Sequence, residues 1–139
     1  MHFFTVTETE FNELIPLHAA YKREIGEEPP KEEELSHLLI AIKESAITFY
    51  GCREGERLIG CCSVSLTFST FNYRTSGVFE DFYILPEYRK KGIARKLVRF
   101  AFKESGVGSL TVGCADCDRA MYSSLGFSVP LGNLMAYDE

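Results

Sequence analysis

The stretch Val78-Phe79-Glu80-Asp81-Phe82-Tyr83-Ile84-Leu85, closed by Pro86 and followed by a helix-forming run, constrains the fold of this chain most. Successive strand residues point to opposite faces, and here both faces are apolar except at the two acids. Such a strand belongs in the middle of a sheet that is covered on both sides. Helices must then supply the cover, and helical spacing is present in the right places. Phe11, Leu14, Ile15 and His18/Tyr21 recur at i, i+3, i+4 and i+7 behind the capping box Thr7-Glu8-Thr9-Glu10, which predicts a helix ending near Gly26 and kinked or displaced by Pro16. Leu35, Leu38, Leu39 and Ile42 predict a second helix from about Lys31 to Glu44. Ile93, Leu97, Val98, Ala101 and Phe102 predict a third, and Asp116 to Leu125 a short fourth.

Strand-like runs fill the remainder. His2 to Val6 reads as a first strand, Ile47 to Arg53 and Leu58 to Phe68 as a hairpin turning at Glu54-Gly55-Glu56, and Ser69 to Gly77 as a polar loop. Ser109 to Cys114, Phe127 to Pro130 and Leu134 to Tyr137 complete the set. The order β-α-α-β-β-β-α-β-α-β-β, with no linker, repeat or low-complexity segment, predicts one mixed α/β (α+β) domain over residues 1–139.

Composition narrows the partners. With 139 residues and 45% hydrophobic side chains, the chain can stabilise one core without disulfides or metal. A net charge of −5 argues against nucleic acid and anionic membranes. No apolar run reaches the roughly 20 residues of a membrane span, and the start MHFFTVTETE has no leader pattern, so a soluble cytoplasmic protein is expected. Five cysteines, two of them adjacent at Cys61 and Cys62, read as reduced core thiols. The charge is nevertheless uneven. Of fifteen Lys and Arg, seven fall at Arg89, Lys90, Lys91, Arg95, Lys96, Arg99 and Lys103, while the N-terminal third is rich in Glu.

That basic cluster adjoins the central strand. A tight turn feeding a helix leaves backbone N–H groups unpaired at the positive end of the helix dipole, so Arg89-Lys90-Lys91-Gly92-Ile93-Ala94 forms an anion cradle. Gly92 permits a positive φ or close approach of a ligand, and Ala94 keeps the first turn clear. Neither a G-x-x-x-x-G-K-[ST] loop nor a G-x-G-x-x-G fingerprint is present, which disfavours nucleoside triphosphates and NAD. On the strand, Glu80 and Asp81 are expected to be buried, on opposite faces and in separate roles. A desolvated carboxylate holds its proton more tightly, which suits a general base near neutral pH.

The segment Arg89 to Ala94 resembles the R/Q-x-x-G-x-G/A signature of the GNAT superfamily of acetyl-CoA-dependent N-acetyltransferases. The surrounding FEDFYILPEYRKKGIARKL is similar to the spermidine/spermine branch of that superfamily, most clearly from about Leu66 to Phe127. The resemblance implies a mixed, mostly antiparallel sheet of about six to seven strands flanked by about four helices. It implies that the amides of Arg89, Lys90, Lys91, Gly92, Ile93 and Ala94, with Arg95 following, hold the CoA pyrophosphate. Backbone groups of Phe82, Ile84 and Leu85 would take the pantetheine arm, and one of their N–H groups would stabilise the tetrahedral oxyanion. Glu80 would take the amine proton, Asp81 would hold a cationic amine or serve structure, and Tyr122 in Ala120-Met121-Tyr122 would protonate the departing thiolate. A phenol and an alkyl thiol have pKa values near enough for that transfer to be balanced.

The expected function is therefore transfer of acetyl from acetyl-CoA to the primary amine of a small, cationic acceptor by direct attack, with no metal and, as is common in that superfamily, a possible homodimer. Two alternatives differ in class. One is a non-catalytic acyl-CoA-binding module, because the segment before Tyr122 departs from the family pattern at Ala115 and Asp118. The other is a redox or metal protein built on Cys114-Ala115-Asp116-Cys117, although His2, His18 and His37 offer no ligand spacing.

Overall fold

A computed structural model describes residues 1–138. Five strands form one sheet in the order β1 (His2–Thr5), β2 (Thr48–Glu54), β3 (Arg57–Ser69), β4 (Arg74–Ile84) and β5 (Ser109–Val112). Every neighbouring pair is antiparallel except β4 and β5, which run parallel. The helices are α1 (Phe11–Glu24), α2 (Glu32–Lys43), α3 (Ile93–Ser105) and α4 (Arg119–Ser124).

Adjacent residues of the central strands separate onto two faces. Tyr50, Ile59, Cys62, Val64, Phe79 and Ile84 pack with Ile93, Leu97, Val98 and Ala101 of α3. Phe49, Leu58, Cys61 and Tyr83 pack with Phe11, Leu14 and Leu17 of α1, and α2 lays Leu35, Leu38, Leu39 and Ile42 against the same cluster. The adjacent cysteines thus serve opposite faces, and all five cysteines are free. Within the sheet Gly60 lies opposite Ile84, with no room for a side chain. A Cβ there would come within 2.5 Å of the Ile84 side chain and 2.9 Å of Cys52 Sγ.

Four expectations are revised. The capping box caps a 3-10 turn at Glu8–Glu10, where Glu10 accepts the Thr7 N–H at 2.7 Å, and α1 begins only after it. Helix α1 runs on through Pro16. The supposed polar loop is largely strand, since β4 begins at Arg74 and the hairpin pairs down to Ser69↔Arg74. The expected strands at Phe127–Pro130 and Leu134–Tyr137 do not form, which leaves five strands instead of six to seven. Pro130 can donate no ladder hydrogen bond, and Gly132 sits at φ +102°, outside the strand region. Phe127 instead packs its ring on Phe79 at 5.2 Å, with its N–H donating to the Tyr122 carbonyl at 3.0 Å.

Phe79 is wholly buried between α3, Phe82 and Phe127. Phe79→Ala should lower unfolding stability by about 3–5 kcal/mol, measured by urea denaturation.

Candidate active site at the bulge of the fourth strand

The register between β3 and β4 slips inside the site. Cys61 faces Tyr83 and Ser63 faces Glu80, so Asp81 and Phe82 together oppose Cys62. This is a β-bulge, and Asp81 takes the left-handed conformation, φ +53°, that a bulge residue can require. The extra residue shifts the phase of the strand by one. Phe79, Phe82 and Ile84 consequently share the α3 face, with Phe79 and Phe82 rings 5.6 Å apart.

The phase shift also moves the acids. Glu80 is exposed and Asp81 half-buried, and both act electrostatically on Tyr21 of α1. The expectation of two buried carboxylates on opposite faces is therefore corrected. Asp81 is fixed by the Ser63 hydroxyl, which donates to its Oδ2 at 2.6 Å.

Beyond the bulge the outer edge of β4 is open. Pairing with β5 ends at Phe79↔Val112, where β5 itself stops. Leu85 donates its N–H to Ile59 on the β3 side at 2.9 Å. Because a strand alternates its hydrogen-bonding direction, the N–H groups of Phe82 and Ile84 face the open edge. Leu85 lacks that freedom. The Ile84 carbonyl on the same edge accepts from Arg89 Nε at 2.8 Å.

The turn after β4 makes a concave set of donors. Pro86–Tyr88 is a 3-10 turn closed by the Arg89 N–H on the Pro86 carbonyl at 3.2 Å. Lys90 and Gly92 are both left-handed, at φ +61° and +81°, and α3 starts at Ile93. The N–H groups of Ile93, Ala94 and Arg95 in its first turn have no helical acceptor, so they continue the concavity that Lys90 to Gly92 begin. Lys90 and Lys91 are exposed beside it.

Two arginines expected at the cofactor are used differently. The Arg89 guanidinium is held by Ile84, by both carboxylate oxygens of Glu24 on α1 at 2.8 and 3.0 Å, and by the face of Tyr83 at 5.2 Å. Arg95 donates to the Ser124 carbonyl, which ties α3 to the end of α4. Both side chains tie neighbouring elements together, and their side-chain bonds do not bear on the backbone amides of the turn. Beside the cradle a groove of about 390 Å³ runs between α3, β5 and the end of α4, with Arg95 and Arg99 among its lining residues.

Tyr122 reaches the bulge despite the irregular segment before it. Its half-buried ring lies 6.3 Å from Phe82 and edge-on to Phe127 at 6.0 Å. Burial raises its pKa, with smaller contributions from Asp118 and Cys114, so the phenol keeps its proton at neutral pH. Sequence reasoning missed three neighbours. His18 and Tyr21 had been read as members of an apolar helix face, and Ser63 carried no signal inside its apolar strand. Their rings place His18 and Tyr21 together at 6.1 Å, and Tyr21 is pushed up to about 12 by burial and by Asp81, Tyr122, Glu27 and Glu80. Cys114 and Cys117 are exposed, and among the described residues no group of three or more His, Cys, Asp or Glu side chains could hold a metal ion. No described helix is long and apolar enough to cross a membrane.

The acetyltransferase (GNAT) domain family matches residues 45–129, and the chain belongs to it. No curated protein sequence matches. Among solved structures, one described as a "probable acetyltransferase" is 22% identical, with a TM-score of 0.83 and 100% of both chains covered. A predicted acetyltransferase from Clostridium acetobutylicum, solved with acetyl-CoA, is 15% identical with a TM-score of 0.79, covering 98% of this chain and 95% of its own. An aminoglycoside acetyltransferase from an uncultured soil metagenomic sample, solved with sisomicin, is 12% identical with a TM-score of 0.83, covering 99% and 95%.

Gly92 has open space where a Cβ would stand, so only its positive φ opposes a side chain. Gly92→Ala should cost about 1–2 kcal/mol through the left-handed backbone, read as a lowered melting temperature.

Proposed function

We propose that the chain transfers the acetyl group of acetyl-CoA to the primary amine of a small cationic acceptor. The observation that carries this reading is the bulge at Asp81, beyond which the strand edge is open, beside two carboxylates and with Phe82 brought 6.3 Å from the Tyr122 ring. Bound acetyl-CoA would supply a thioester carbonyl for attack by the amine. The residues present fit it. Amides of Lys90 to Arg95 suit a pyrophosphate, and Lys90 and Lys91 add charge. The Phe82 and Ile84 edge suits an extended amide-bearing arm, which can pair with it as a strand would.

The chain's own groups then divide the proton work. Asp81 holds the incoming ammonium, and Glu80, exposed at the mouth, takes its proton directly or through water. A strand N–H at Phe82 or Ile84 stabilises the negative charge that grows on the carbonyl oxygen. Tyr122 gives its proton to the departing sulfur. The likeness to the spermidine/spermine branch and the carboxylates that act on Tyr21 favour a cationic acceptor, and the net charge of −5 favours a small cationic molecule over nucleic acid.

Acetyl-CoA at about 100 times its Kd should stabilise the fold by about 2.7 kcal/mol, seen as an upward thermal shift, and no shift at millimolar acetyl-CoA would sink the reading. Release of CoA thiol against a panel of polyamines, aminoglycosides and amino acids tests turnover and separates an enzyme from a silent CoA-binding module. Tyr122→Phe should leave acetyl-CoA affinity unchanged and lower kcat about 10²- to 10⁴-fold. An unchanged kcat would remove Tyr122 from the proton path.

A further inference from the structure

The sheet face that carries Glu80 and Asp81 continues toward the β3–β4 turn as a surface of hydroxyl groups. Ser63 lies opposite Glu80, Ser65 opposite Val78 and Thr67 opposite Ser76, while on the far side of β4 Ser76 and Val78 lie opposite Ser109 and Thr111. Side chains directly opposite each other share a face. Two hydrogen bonds bear this out, Ser63 to Asp81 at 2.6 Å and Ser76 with Ser109 at 2.8 Å. On this stretch none of the residues past Ser63 is buried: Ser65, Ser76, Val78, Ser109 and Thr111 are half-buried, and Thr67 and Glu80 are exposed. The reverse of the same strands is closed, with Val64 at 1% and Phe79 at 0% exposure.

The chemistry of this surface is narrow. Strands β3, β4 and β5 contain no acid other than Glu80 and Asp81. Glu24 and Glu27, at and just past the end of α1, are already paired with Arg89 and Lys22. One ammonium group therefore finds carboxylates at the bulge, and a second finds none further along the strands. Same-face residues stand about 7 Å apart along a strand and about 5 Å apart across strands, so Val78 forms an apolar centre with hydroxyls on three sides and Glu80 on the fourth. That is the span of a six-membered ring and its substituents. Thr111 donates to the Gly77 carbonyl at 3.5 Å, and Ser76 and Ser109 use one O–H between them, so acceptor lone pairs and at least one donor remain for a ligand.

We propose that the acceptor is a primary amine set among hydroxyl groups, an amino sugar or amino polyol, with its ammonium at Glu80 and Asp81, its C–H face on Val78 and its hydroxyls on Ser65 and Thr111. The proposal deepens the amine-acetyltransferase reading and rests on its placing the acceptor at the bulge. It makes Ser65 and Thr111 the residues that decide which amine is taken. A hydrocarbon ring in the same place strips water from those hydroxyls and returns no hydrogen bond, and an aliphatic diamine carries its second charge to a place without a carboxylate.

The test is kcat/KM for CoA release by the full chain at saturating acetyl-CoA with three acceptors: glucosamine, cyclohexylamine and 1,4-diaminobutane. Glucosamine should be the best of the three. In Ser65→Ala combined with Thr111→Val the ratio of kcat/KM for glucosamine over cyclohexylamine should fall about tenfold, and the intrinsic reactivities of the two amines cancel in that comparison. Thr111→Val keeps the shape and strand preference of the side chain, and Ser65→Ala alone, expected to lower the ratio in the same direction, serves if the pair fails to fold. A purely structural role for the hydroxyls would lower both amines together and leave the ratio where it was. An unmoved ratio, or a wild type that prefers the diamine or the hydrocarbon amine, overturns the proposal and leaves the acetyltransferase reading standing. Transfer to none of the three, with an acetyl-CoA thermal shift still present, overturns both and leaves a CoA-binding module.

Discussion

One backbone irregularity organises the site. A regular β4 would keep pairing β5 and would alternate its side chains without interruption, leaving no gap for a ligand and sending Phe79 and Phe82 to opposite faces. The bulge at Asp81 changes the phase of the strand, and the pairing with β5 ends just before it. The aromatic cluster of Phe79, Phe82, Tyr122 and Phe127 exists because of that change of phase. So does the approach of both acids to α1. A non-glycine residue at φ +53° is uncommon, and Asp is among the few side chains that tolerate it. The Ser63 hydrogen bond adds a tether that resists relaxation to a regular strand.

Around the bulge the molecule separates charge by element. The turn before α3 gathers donors and lysines, while β4 carries Glu80 and Asp81 at the bulge. Arg89 stitches the two sides together, and its attachment is to backbone, ring and carboxylate at once. Its pair with Glu24 is more than a third exposed on each side, so the ion pair by itself contributes little stability. Its value is geometric. The guanidinium occupies the far end of the open β4 edge and fixes the end of α1, the helix that carries His18 and Tyr21.

Helix α4 is a single short element, too brief to be stable alone, and it is held by Arg95 on the Ser124 carbonyl and by the Phe127 ring against Tyr122. The departure of Ala115 and Asp118 from the family pattern is accommodated in the 3-10 turn Asp116–Asp118, upstream of the residues that face the site. Tyr122 therefore reaches Phe82 although the residues leading to it differ.

Much of this was legible from residue order. Hydrophobic periodicity announced both helix faces, the doubly apolar β4 announced a central strand, and Arg89 to Ala94 announced the cradle and the family. These signals are local, since period, propensity and turn chemistry act over a few residues. The sequence could not say that two C-terminal runs would stay out of the sheet, because strand formation depends on a partner edge rather than on the run itself. Nor could it say that Glu80 is exposed, that the Arg89 and Arg95 side chains bond to Ile84, Glu24 and Ser124, or that Ser63 holds Asp81. Alternation predicts opposite faces for Glu80 and Asp81 in any regular strand, and only the register between β3 and β4 decides that this strand is not regular. The chain's order of residues determined the architecture and the tight turn before α3, while the pairing of distant segments decided which carboxylate is held and by what.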